Sequence, residues 1–395
     1  MHILVLNSGS TSLKFTIFEA EESTPVTLLK GEIGGIGSAH ATLTLRDAEG
    51  TDLAPASTAS QARISSLSDA IAFAAKALTA SEMPAIDAIG YRVVHPGPRL
   101  LGHQIITDEV IENLLEAETI APLHDPAAVA LIRTMQSRFP GIPHIACFDT
   151  VFHETLPPEA STYAIPARYS EEGVRRYGFH GLACESVCDQ LRAAGELPKR
   201  LAIAHLGGGS SVTAVLDGRS VDTSMGLTPT GGVVMSTRPG DLDPGLVVYL
   251  MRKGGDAVSI DSLLNNGSGL KALTGNSDVR TIRTAATHGD DQALFALRVF
   301  TRSVTKTLGG YLALLGGLDA IAFSGGIGEH DPSTRAEILA PMQALGIQLD
   351  PVVNAKPSPG LTRVSIEHSP VAVYIVPAEE DRSIARQVLR ICQPS

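Results

Sequence analysis

The chain contains two pairs of similar apolar segments, each interrupted by a short polar or glycine-rich turn. ILVLNSGSTSLKFTIF (3–18) and AIAHLGGGSSVTAVLDG (202–218) both predict strand, turn and strand. IDAIGYRVVHPG (86–97) and LDAIAFSGGIGE (318–329) both consist of an Asp, a predicted buried strand and a glycine-containing loop. Because the pairs occur in the same order in each half, we interpret the chain as an internal duplication. Two unrelated β-hairpins are the alternative.

Helices are predicted between these strands. Apolar residues recur at helical spacing in three segments, 65–80, 124–141 and 293–317. In the second of them, Asp125 can cap the helix N-terminus and Pro126 lies in its first turn. The stretch 352–363 is predicted as a surface loop before a last strand at 371–377. Strands followed by helices in each half favour two α/β domains.

Composition agrees with a folded, two-domain chain and excludes several function classes. With 395 residues, the chain exceeds the usual size of one core. Hydrophobic residues make up 44% and charged residues 18%, which is typical of globular domains rather than disordered ones. The net charge of −11 opposes binding to nucleic acid or anionic membranes, and the absence of Trp argues against a base-stacking surface. A phosphate ligand needs only a local positive site and is still allowed.

Nothing in the sequence predicts export or membrane insertion. The first residues, MHILVLNSGS, lack the basic and long apolar regions of a signal peptide. The apolar segment 312–323 is broken by two glycines and Asp319, so we expect no membrane span there. Four cysteines in so long a chain do not form a disulfide framework. We therefore expect a cytoplasmic protein.

Three glycine-containing turns follow predicted strands. They are NSGSTS (7–12), with Lys14 close behind, HLGGGSS (205–211) and SGGIGE (324–329), which precedes a predicted helix at 333–345. Such turns expose backbone N–H groups without nearby Cβ atoms, which suits an anion. Neither a P-loop nor a GxGxxG dinucleotide fingerprint is present. The turns therefore predict a phosphate cradle of another kind.

Charged and imidazole side chains lie near the ends of the predicted strands. The set comprises Arg92, His95, His124, Asp149, His153, Arg175, Arg176, His180, Arg238, Asp241, Asp243, Glu379 and Glu380. Taken singly, each arginine is explained by a structural ion pair and each histidine by a buried or surface position. Together they match the requirements of phosphoryl transfer, which uses cations around the moving group and carboxylate or amide oxygens for a metal ion.

Eleven ordered stretches resemble those of the acetate kinases, from residue 3 to about 390. They are NSGSTSLKF, RVVHPG, APLHDP, CFDTVFH, RRYGFHG, HLGGGSS, DTSMGLTP, STRPGDLDP, NSDVR, GGIGE and EEDRSIAR. The resemblance implies two α/β domains on a duplicated sugar-kinase/actin-like (ribonuclease H-like) core, with the active cleft between them. It places the N-terminal domain at 1–149 plus 380–395 and the C-terminal domain at 150–379.

The resemblance also implies a role for individual residues. Asn7 and Glu379 match the family's ligands for Mg²⁺ (or Mn²⁺), and Arg92 matches its contact to the carboxylate or acyl phosphate. Asp149 matches the proposed catalytic acid/base. His180 and Arg238 match the residues that stabilise charge on the transferred phosphoryl group.

Substrate contacts are implied in the same way. ATP or ADP would be bound by Lys14, His205, Leu206, Gly207, Gly208, Gly209, Asp278, Val279, Arg280, Gly326, Ile327, Gly328, Glu329 and His330. The acyl substrate would be bound by Val94, Leu123, His124, Phe179 and Pro229. The implied reaction is direct in-line transfer between ATP and acetate. A homodimer joined through the C-terminal domain is implied as well.

Four residues depart from the family pattern. Gly208 stands where Asn is usual, Asp125 follows His124 where Asn is usual, Cys184 replaces a second His, and Gly231 replaces a Glu. On a helix, His180, Cys184 and Cys188 would share one face, but two buried thiols explain this spacing better than a metal site. The departures leave open a propionate-preferring kinase, a pyrophosphate or other donor, and a non-catalytic nucleotide-binding homologue. A sugar kinase is disfavoured by the apolar acyl set.

Overall fold

A computed structural model of the chain describes residues 1–8, 12–21, 24–36, 41–53, 64, 66, 69–73, 84–117 and 125–393. The chain divides into two compact units. The N-terminal unit comprises Met1–Val151 and Glu379–Ser395, and the C-terminal unit comprises Phe152–Ala378. Each unit is an α/β structure with one mixed sheet, which confirms the predicted fold class.

The described sheet of the N-terminal unit has seven strands in the order β4-β3-β2-β1-β5-β7-β6. Their bounds are β1 His2–Ser8, β2 Ser12–Glu21, β3 Thr24–Gly34, β4 Thr42–Asp47, β5 Ala88–Val93, β6 Gln104–Ile105 and β7 His144–Phe148. The first four strands form an antiparallel meander. β5 and β7 continue the sheet parallel to β1.

The described sheet of the C-terminal unit has six strands in the order β10-β9-β8-β11-β13-β12. Their bounds are β8 Arg200–Leu206, β9 Ser210–Leu216, β10 Arg219–Thr223, β11 Ala320–Ser324, β12 Thr362–Arg363 and β13 Ala372–Ile375. β8, β9 and β10 form an antiparallel meander, and β11 and β13 continue the sheet parallel to β8.

Residues 69–73 are helical, and the other α-helices described in the two units are labelled in chain order. They are α1 Asp108–Glu116, α2 Asp125–Arg138, α3 Pro158–Ser161, α4 Ala167–Glu171, α5 Gly181–Ala193, α6 Pro244–Arg252, α7 Ala257–Asn266, α8 Gly269–Thr274, α9 Val279–Thr287, α10 Asp291–Leu314, α11 Gly325–His330, α12 Pro332–Leu339, α13 Pro351–Ala355 and α14 Glu380–Cys392. Short 3₁₀ turns cover Val151–His153 and Ala340–Leu345.

The two sheets share one topology, as the repeated sequence patterns predicted, except that β4 is an additional edge strand of the N-terminal sheet. In each unit the first strand–turn–strand pattern forms two antiparallel strands, β1–β2 or β8–β9. The second pattern supplies the next parallel strand, β5 or β11. These matching positions agree with the interpretation of an internal duplication. Unrelated hairpins would not extend to the same parallel neighbour.

The C-terminal helix α14 belongs to the N-terminal unit and lies on its sheet. A Cβ on Gly90 of β5 would come within 2.6 Å of Ile384 and 2.7 Å of Val388, so glycine is required for this close packing. The last residues of the chain therefore belong to the N-terminal unit. Glu379 and Glu380, where α14 begins, lie in the same unit as β1 and β5.

Apolar side chains fill the space between sheet and helices in each unit. In the N-terminal unit the core joins β1, β5 and β7 to α1 and α2, through residues such as Leu4 and Ile132. In the C-terminal unit the long helix α10 contributes Phe300 and Val304 to the core over β8 and β11. Strand β8 is buried along nearly its whole length, which is typical of parallel sheets covered on both faces.

Several local predictions need correction. The glycine-containing turn predicted at 324–329 is wrong, since Gly325–His330 form the short helix α11. The surface loop predicted at 352–363 includes most of α13 and the strand β12. Of the helix predicted at 65–80, residues 69–73 are described and helical, and the rest lies outside the described residues. Helix α2 covers Asp125–Arg138, so Pro126 lies in its first turn as predicted. In the described part of the chain, every helix is too short or too polar to cross a membrane.

Candidate active site

Polar side chains collect where the parallel strands of the N-terminal unit end. Asn7 lies at the end of β1, Arg92 near the end of β5, and Asp149 directly after β7. Lys14 on β2 is paired in register with Asn7 and is exposed. Since ligands of open α/β sheets bind outside the carboxyl ends of the parallel strands, this edge is the first candidate site.

Arg92 is the centre of this cluster. Its Nη2 donates to Asp149 Oδ2 at 2.5 Å, its Nε contacts both carboxylate oxygens of Asp149 at 3.1 Å, and its Nη1 donates to Asn7 Oδ1 at 3.3 Å. Glu380 Oε2 lies 3.9 Å from Nε. Burial by itself lowers the pKa of Arg92, but the charges of Asp149 and Glu380 outweigh it and raise the pKa above its ordinary value. The guanidinium is therefore a fixed positive charge at this edge.

The start of α14 adds carboxylates to the same unit. Glu379 Oε2 accepts from Arg382 Nη1 at 2.8 Å, and Asp381 Oδ2 accepts from Thr16 Oγ1 at 2.7 Å. Burial raises the pKa of Asp381. Asn7 and Glu379 thus offer one amide and one carboxylate oxygen, the ligand types that Mg²⁺ prefers. Because Mg²⁺ usually takes its other ligands from phosphates and water, this small donor set fits the ion.

A second cluster lies at the matching edge of the C-terminal unit, around the turn Gly207–Gly209 between β8 and β9. A Cβ on Gly209 would lie 3.2 Å from His180 Nε2 and 3.6 Å from Arg238 Nη1. The rings of His180 and His205 are 4.6 Å apart, and Arg238 Nη1 donates to Pro229 O at 3.1 Å. The imidazole and the guanidinium therefore meet at one glycine.

His180 has a left-handed backbone, with φ of 59°, immediately before α5. It is one of two non-glycine residues with positive φ in the described part of the chain, the other being Asp217. Such a conformation is uncommon for residues other than glycine, although His, Asp and Asn adopt it more often than most, and at a candidate site it agrees with a functional role. His180 Nδ1 lies 3.0 Å from Ser211 Oγ, which leaves Nε2 facing the glycine turn.

The buried His153 holds the segment that leads into His180. Its Nε2 lies 3.0 Å from the carbonyl oxygen of Phe179, and its Nδ1 lies 2.9 Å from Ser220 Oγ. Gly178, with φ of 74°, packs so closely that a Cβ there would lie 2.7 Å from the His153 ring. Burial lowers the pKa of His153 to about 4, so the ring is neutral near pH 7. It serves as a hydrogen-bonding support for the residue before His180.

The contacts around the glycine turn show which of its residues must lack a side chain. Gly207 N donates to Gly209 O at 3.0 Å, and Gly208 O accepts from Ser236 N at 3.2 Å. None of the three glycines, all described, has a positive φ, so left-handed backbone is not the reason for them. A Cβ on Gly208 would meet nothing within 4 Å, whereas one on Gly209 would press on His180. The close approach is therefore made at Gly209.

Alanine substitutions at two glycines of the C-terminal unit should separate cleanly. We expect Gly209→Ala to lower turnover about 10-fold or more, because small displacements of catalytic groups have large kinetic effects. Gly310→Ala is the matched control and should stay within about 2-fold of the wild type, since Gly310 is an exposed residue of α10 whose Cβ would meet nothing within 4 Å. Steady-state kinetics on both variants is the measurement. Equal losses in the two variants would contradict a special role for Gly209.

A cavity of about 710 Å³ adjoins this turn within the C-terminal unit. It is lined by Gly207, Gly208, Ser236, Ser277, Asp278, Val279, Arg280, Arg283, Gly326, Ile327, His330, Asp331, Pro332 and Ser333. Its volume falls in the range typical of small-molecule and cofactor sites. The cavity runs from the start of α9 to α11 and α12, and one end is the glycine turn beside His180 and Arg238.

A family model described as the Acetokinase family matches residues 2–386. The chain belongs to the acetokinase family. It is 43% identical over 399 residues to an acetate kinase of Leifsonia xyli subsp. xyli, with 98% of each chain covered. A solved acetate kinase of Porphyromonas gingivalis has a TM-score of 0.86 at 32% identity, covering 99% of this chain and 100% of that one. A propionate kinase of Francisella tularensis has a TM-score of 0.89 at 32% identity, with 99% of each chain covered.

Membership of the acetokinase family allows the predicted nucleotide residues to be compared with the cavity. Eight of them line it: Gly207, Gly208, Asp278, Val279, Arg280, Gly326, Ile327 and His330. His205, Leu206 and Gly328 are buried, Glu329 Oε1 accepts from Ala378 N at 3.0 Å, and Gly209 lies beside His180. Lys14 belongs to the N-terminal unit.

Sequence reasoning missed six residues of the cavity wall: Ser236, Ser277, Arg283, Asp331, Pro332 and Ser333. Arg283 donates to Thr334 Oγ1 at 2.7 Å and to Asp331 Oδ2 at 3.3 Å. Asp331 also caps α12 by accepting from Ser333 N at 3.0 Å. The pattern Asp-Pro-Ser at 331–333 is a capped helix start with Pro at its first position, and it was the available signal.

The predicted acyl-binding residues are divided between the units. Val94 is half-buried in the N-terminal unit, and Phe179 and Pro229 are buried in the C-terminal unit. Leu123 and His124 lie outside the described residues. All five residues of the acetokinase acyl set therefore stay predictions.

Arg175 and Arg176, which accompany His180 in sequence, have structural roles. Arg176 Nη1 donates to the carbonyl oxygens of Thr223, Ser224 and Met225 at 2.9 to 3.1 Å. Arg175 Nη1 lies 3.5 Å from Glu154 Oε2. These arginines brace the chain around the site rather than forming its positive wall.

One position that departs from the acetokinase pattern, Cys184, is accommodated by the packing of its helix. Cys184 and Cys188 are buried on α5 in an apolar cluster with Val187 and Leu191, and Cys184 Sγ contacts Thr213 Oγ1 at 3.6 Å. Burial raises the pKa of the Cys188 thiol. These contacts match the interpretation as two small buried thiols.

Proposed function

We propose that this chain catalyses reversible transfer of the γ-phosphoryl group of ATP to acetate, giving acetyl phosphate and ADP. One observation carries the proposal. The turn Gly207–Gly209 borders a nucleotide-sized cavity with two of its residues and receives His180 and Arg238 at the third. A nucleotide in that cavity would present its terminal phosphate to an imidazole and a guanidinium. Membership of the acetokinase family supports the same reaction.

The chemistry needs positioning and positive charge rather than an activated nucleophile. Acetate is already an anion at neutral pH, so one of its oxygens can attack phosphorus without losing a proton. The bond from that oxygen to phosphorus forms as the bond to the ADP oxygen breaks, and charge spreads over three equatorial oxygens. We assign Arg238 and His180 Nε2 to that charge, with Arg92 contacting the acyl carboxylate.

We further propose that Asn7 and Glu379 hold Mg²⁺, or Mn²⁺ in its place. When bound with the nucleotide, the ion would neutralise charge on the phosphate oxygens. Asn7 Oδ1 already accepts from Arg92 Nη1, so Arg92 can hold this amide in a defined orientation. Lys14 is paired opposite Asn7 and adds a positive charge to the same edge.

We assign Asp149 to orienting Arg92, although the family resemblance implied an acid/base. Its side chain is only 1% exposed and receives three N–H contacts from Arg92. A carboxylate engaged in this way fixes the guanidinium, while the attacking acetate requires no base. The two roles are separable by kinetics, as argued below.

A hydroxamate assay tests the reaction. Purified protein is incubated with ATP, Mg²⁺, hydroxylamine and either acetate or propionate, and acyl hydroxamate is measured. We expect acetyl hydroxamate that depends on ATP and Mg²⁺ and disappears when EDTA is added. The propionate arm decides the acyl preference, since the similarity to a propionate kinase favours that alternative and one methylene changes discrimination by only ~1–3 kcal/mol. If the protein bound nucleotide but formed no hydroxamate, it would be a non-catalytic homologue. A parallel assay with pyrophosphate in place of ATP tests which phosphoryl donor the protein uses.

We also propose that the protein is a cytoplasmic homodimer. Its four cysteines are thiols rather than disulfides, which suits a reducing compartment. None of the nine residues of α6, all of them described, is buried, although most are apolar. Tyr249 is 53% and Met251 55% exposed there, and Val258 of α7 is 79% exposed. Exposed apolar faces of this kind mark association surfaces, and a second copy of the chain would cover it.

Charge placed on α6 should therefore dissociate the dimer. We expect two-chain mass for the wild type in light scattering coupled to gel filtration, and single-chain mass for Tyr249→Lys/Met251→Glu. The matched control is Val352→Lys, which changes a 75% exposed apolar residue on α13 and should leave the dimer intact. A monomeric wild type, or a dimeric double variant, would contradict this interface.

A further inference from the structure

Arg335 is fully buried and lies just behind the wall of the nucleotide cavity. It is on α12 and has no exposed surface, which is rare for arginine. Its guanidinium donates to four neutral oxygens: Asn354 Oδ1, Asn354 O and Gly328 O, each at 2.7 Å, and Glu329 O at 2.9 Å. Burial lowers the pKa of Arg335 to about 10, so the group is still charged near pH 7.

These contacts connect Arg335 to two parts of the cavity wall. Gly328 and Glu329 lie in the last turn of α11, and three other residues of this helix, Gly326, Ile327 and His330, line the cavity. The last carbonyls of a helix have no partner within the helix, and a cation there also interacts favourably with the helix dipole. Arg335 supplies both the hydrogen-bond donors for these carbonyl groups and the positive charge at the helix C-terminus.

The second connection passes through Asn354. Its side-chain oxygen and backbone oxygen accept from Arg335, and its Nδ2 donates to the carbonyl oxygen of Pro332 at 3.0 Å. Pro332 lines the cavity. One guanidinium therefore holds both α11 and the start of α12, although neither Arg335 nor Asn354 is part of the cavity wall.

We propose that Arg335 is a positioning residue for the nucleotide. It sets the shape of the cavity between α11 and Pro332. The inference rests on the proposed function, because it takes the cavity as the site of the adenine nucleotide. A buried charge of this kind is expensive unless every donor is satisfied. Its presence behind the wall is explained by the need to fix carbonyl groups of two separate segments, α11 and α13, and through Asn354 that of Pro332.

The test compares the affinity for nucleotide with the KM for acetate and with folding. Arg335→Met removes the donors and the charge, Arg335→Lys keeps the charge but loses the planar fork, and Asn354→Ala removes only the second connection. Arg363→Met is the matched control, since Arg363 also donates to backbone carbonyls, Ile366 O at 3.4 Å and Glu367 O at 3.1 Å, away from the cavity wall. Folding is checked by circular dichroism, and Kd for MgADP is measured by calorimetry alongside both KM values.

We expect Arg335→Met to raise the Kd for MgADP and the KM for ATP at least 10-fold, with the KM for acetate within 2-fold of the wild type. Arg335→Lys and Asn354→Ala should show smaller rises, and Arg363→Met should melt earlier with an unchanged Kd. If Arg335→Met does not fold, the Kd of Asn354→Ala decides the question. A folded variant with wild-type Kd would overturn the inference alone, whereas a wild-type protein that binds no nucleotide would overturn the proposed function and this inference together.

Discussion

Replacement of Arg238 by alanine is expected to lower kcat by about 10³-fold or more, with little loss of stability. An arginine that stabilises the charge of a transferring phosphoryl group is worth ~10³–10⁵ in rate. The backbone around it is held independently of the side chain, because Met235 N donates to Arg238 O at 3.0 Å and Ser268 N donates to Thr237 O at 2.9 Å. The side chain can therefore be removed while the turn remains.

The measurement is kcat and KM for ATP and acetate, together with a urea unfolding curve. Arg298→Ala, an exposed arginine on α10 of the same unit, is the control for loss of a positive charge and should keep wild-type kinetics. If Arg238→Ala were inactive and also unfolded, the structural interpretation of this arginine would replace the catalytic one. Wild-type turnover in the folded variant would remove Arg238 from the mechanism.

The repeated parts of the fold were predictable because each carries a local pattern. The strands β1, β2, β8 and β9 combine apolar alternation with a glycine or serine turn, and α10 has an apolar face over many turns. The short helix α11 was taken for a loop, because three of its six residues are glycines and glycine has low helix propensity. There, packing against β8 and β11 outweighs local preference.

The site was less predictable where it depends on contacts between distant segments. Motif resemblance led to Arg92, His180 and Arg238, but nothing local pairs Arg283 with Asp331, 48 positions later. Arg335 looks like an ordinary solvent-facing helix residue in sequence, and only the fold shows that it is buried. Such roles are set by which helices pack together, and a single sequence does not contain that information in local form.

The second large effect is expected at the Arg92–Asp149 pair, where two single variants and their double variant distinguish an orienting carboxylate from a base. Arg92→Ala should lower kcat/KM for acetate by about 10³-fold, as for other arginines acting on phosphoryl transfer. It should also destabilise the N-terminal unit by about 3 kcal/mol, since it leaves the buried Asp149 carboxylate without its main partner. Asp149→Asn should lower the activity less, because Arg92 keeps Asn7 as an acceptor.

The double variant Arg92→Ala/Asp149→Asn is then expected to be no slower than Arg92→Ala alone and to regain part of the lost stability. Residues that act together give non-additive effects. Once Arg92 is absent, the Asp149→Asn substitution removes a carboxylate whose only task was to orient Arg92. A base would behave differently: its loss would multiply with the loss of Arg92, and Asp149→Asn would abolish the acidic limb of the pH–rate profile. Arg99→Ala removes an exposed arginine paired with Glu116 at 3.0 Å and should leave rate and stability unchanged. Multiplicative rate losses in the double variant would return Asp149 to the role of acid/base.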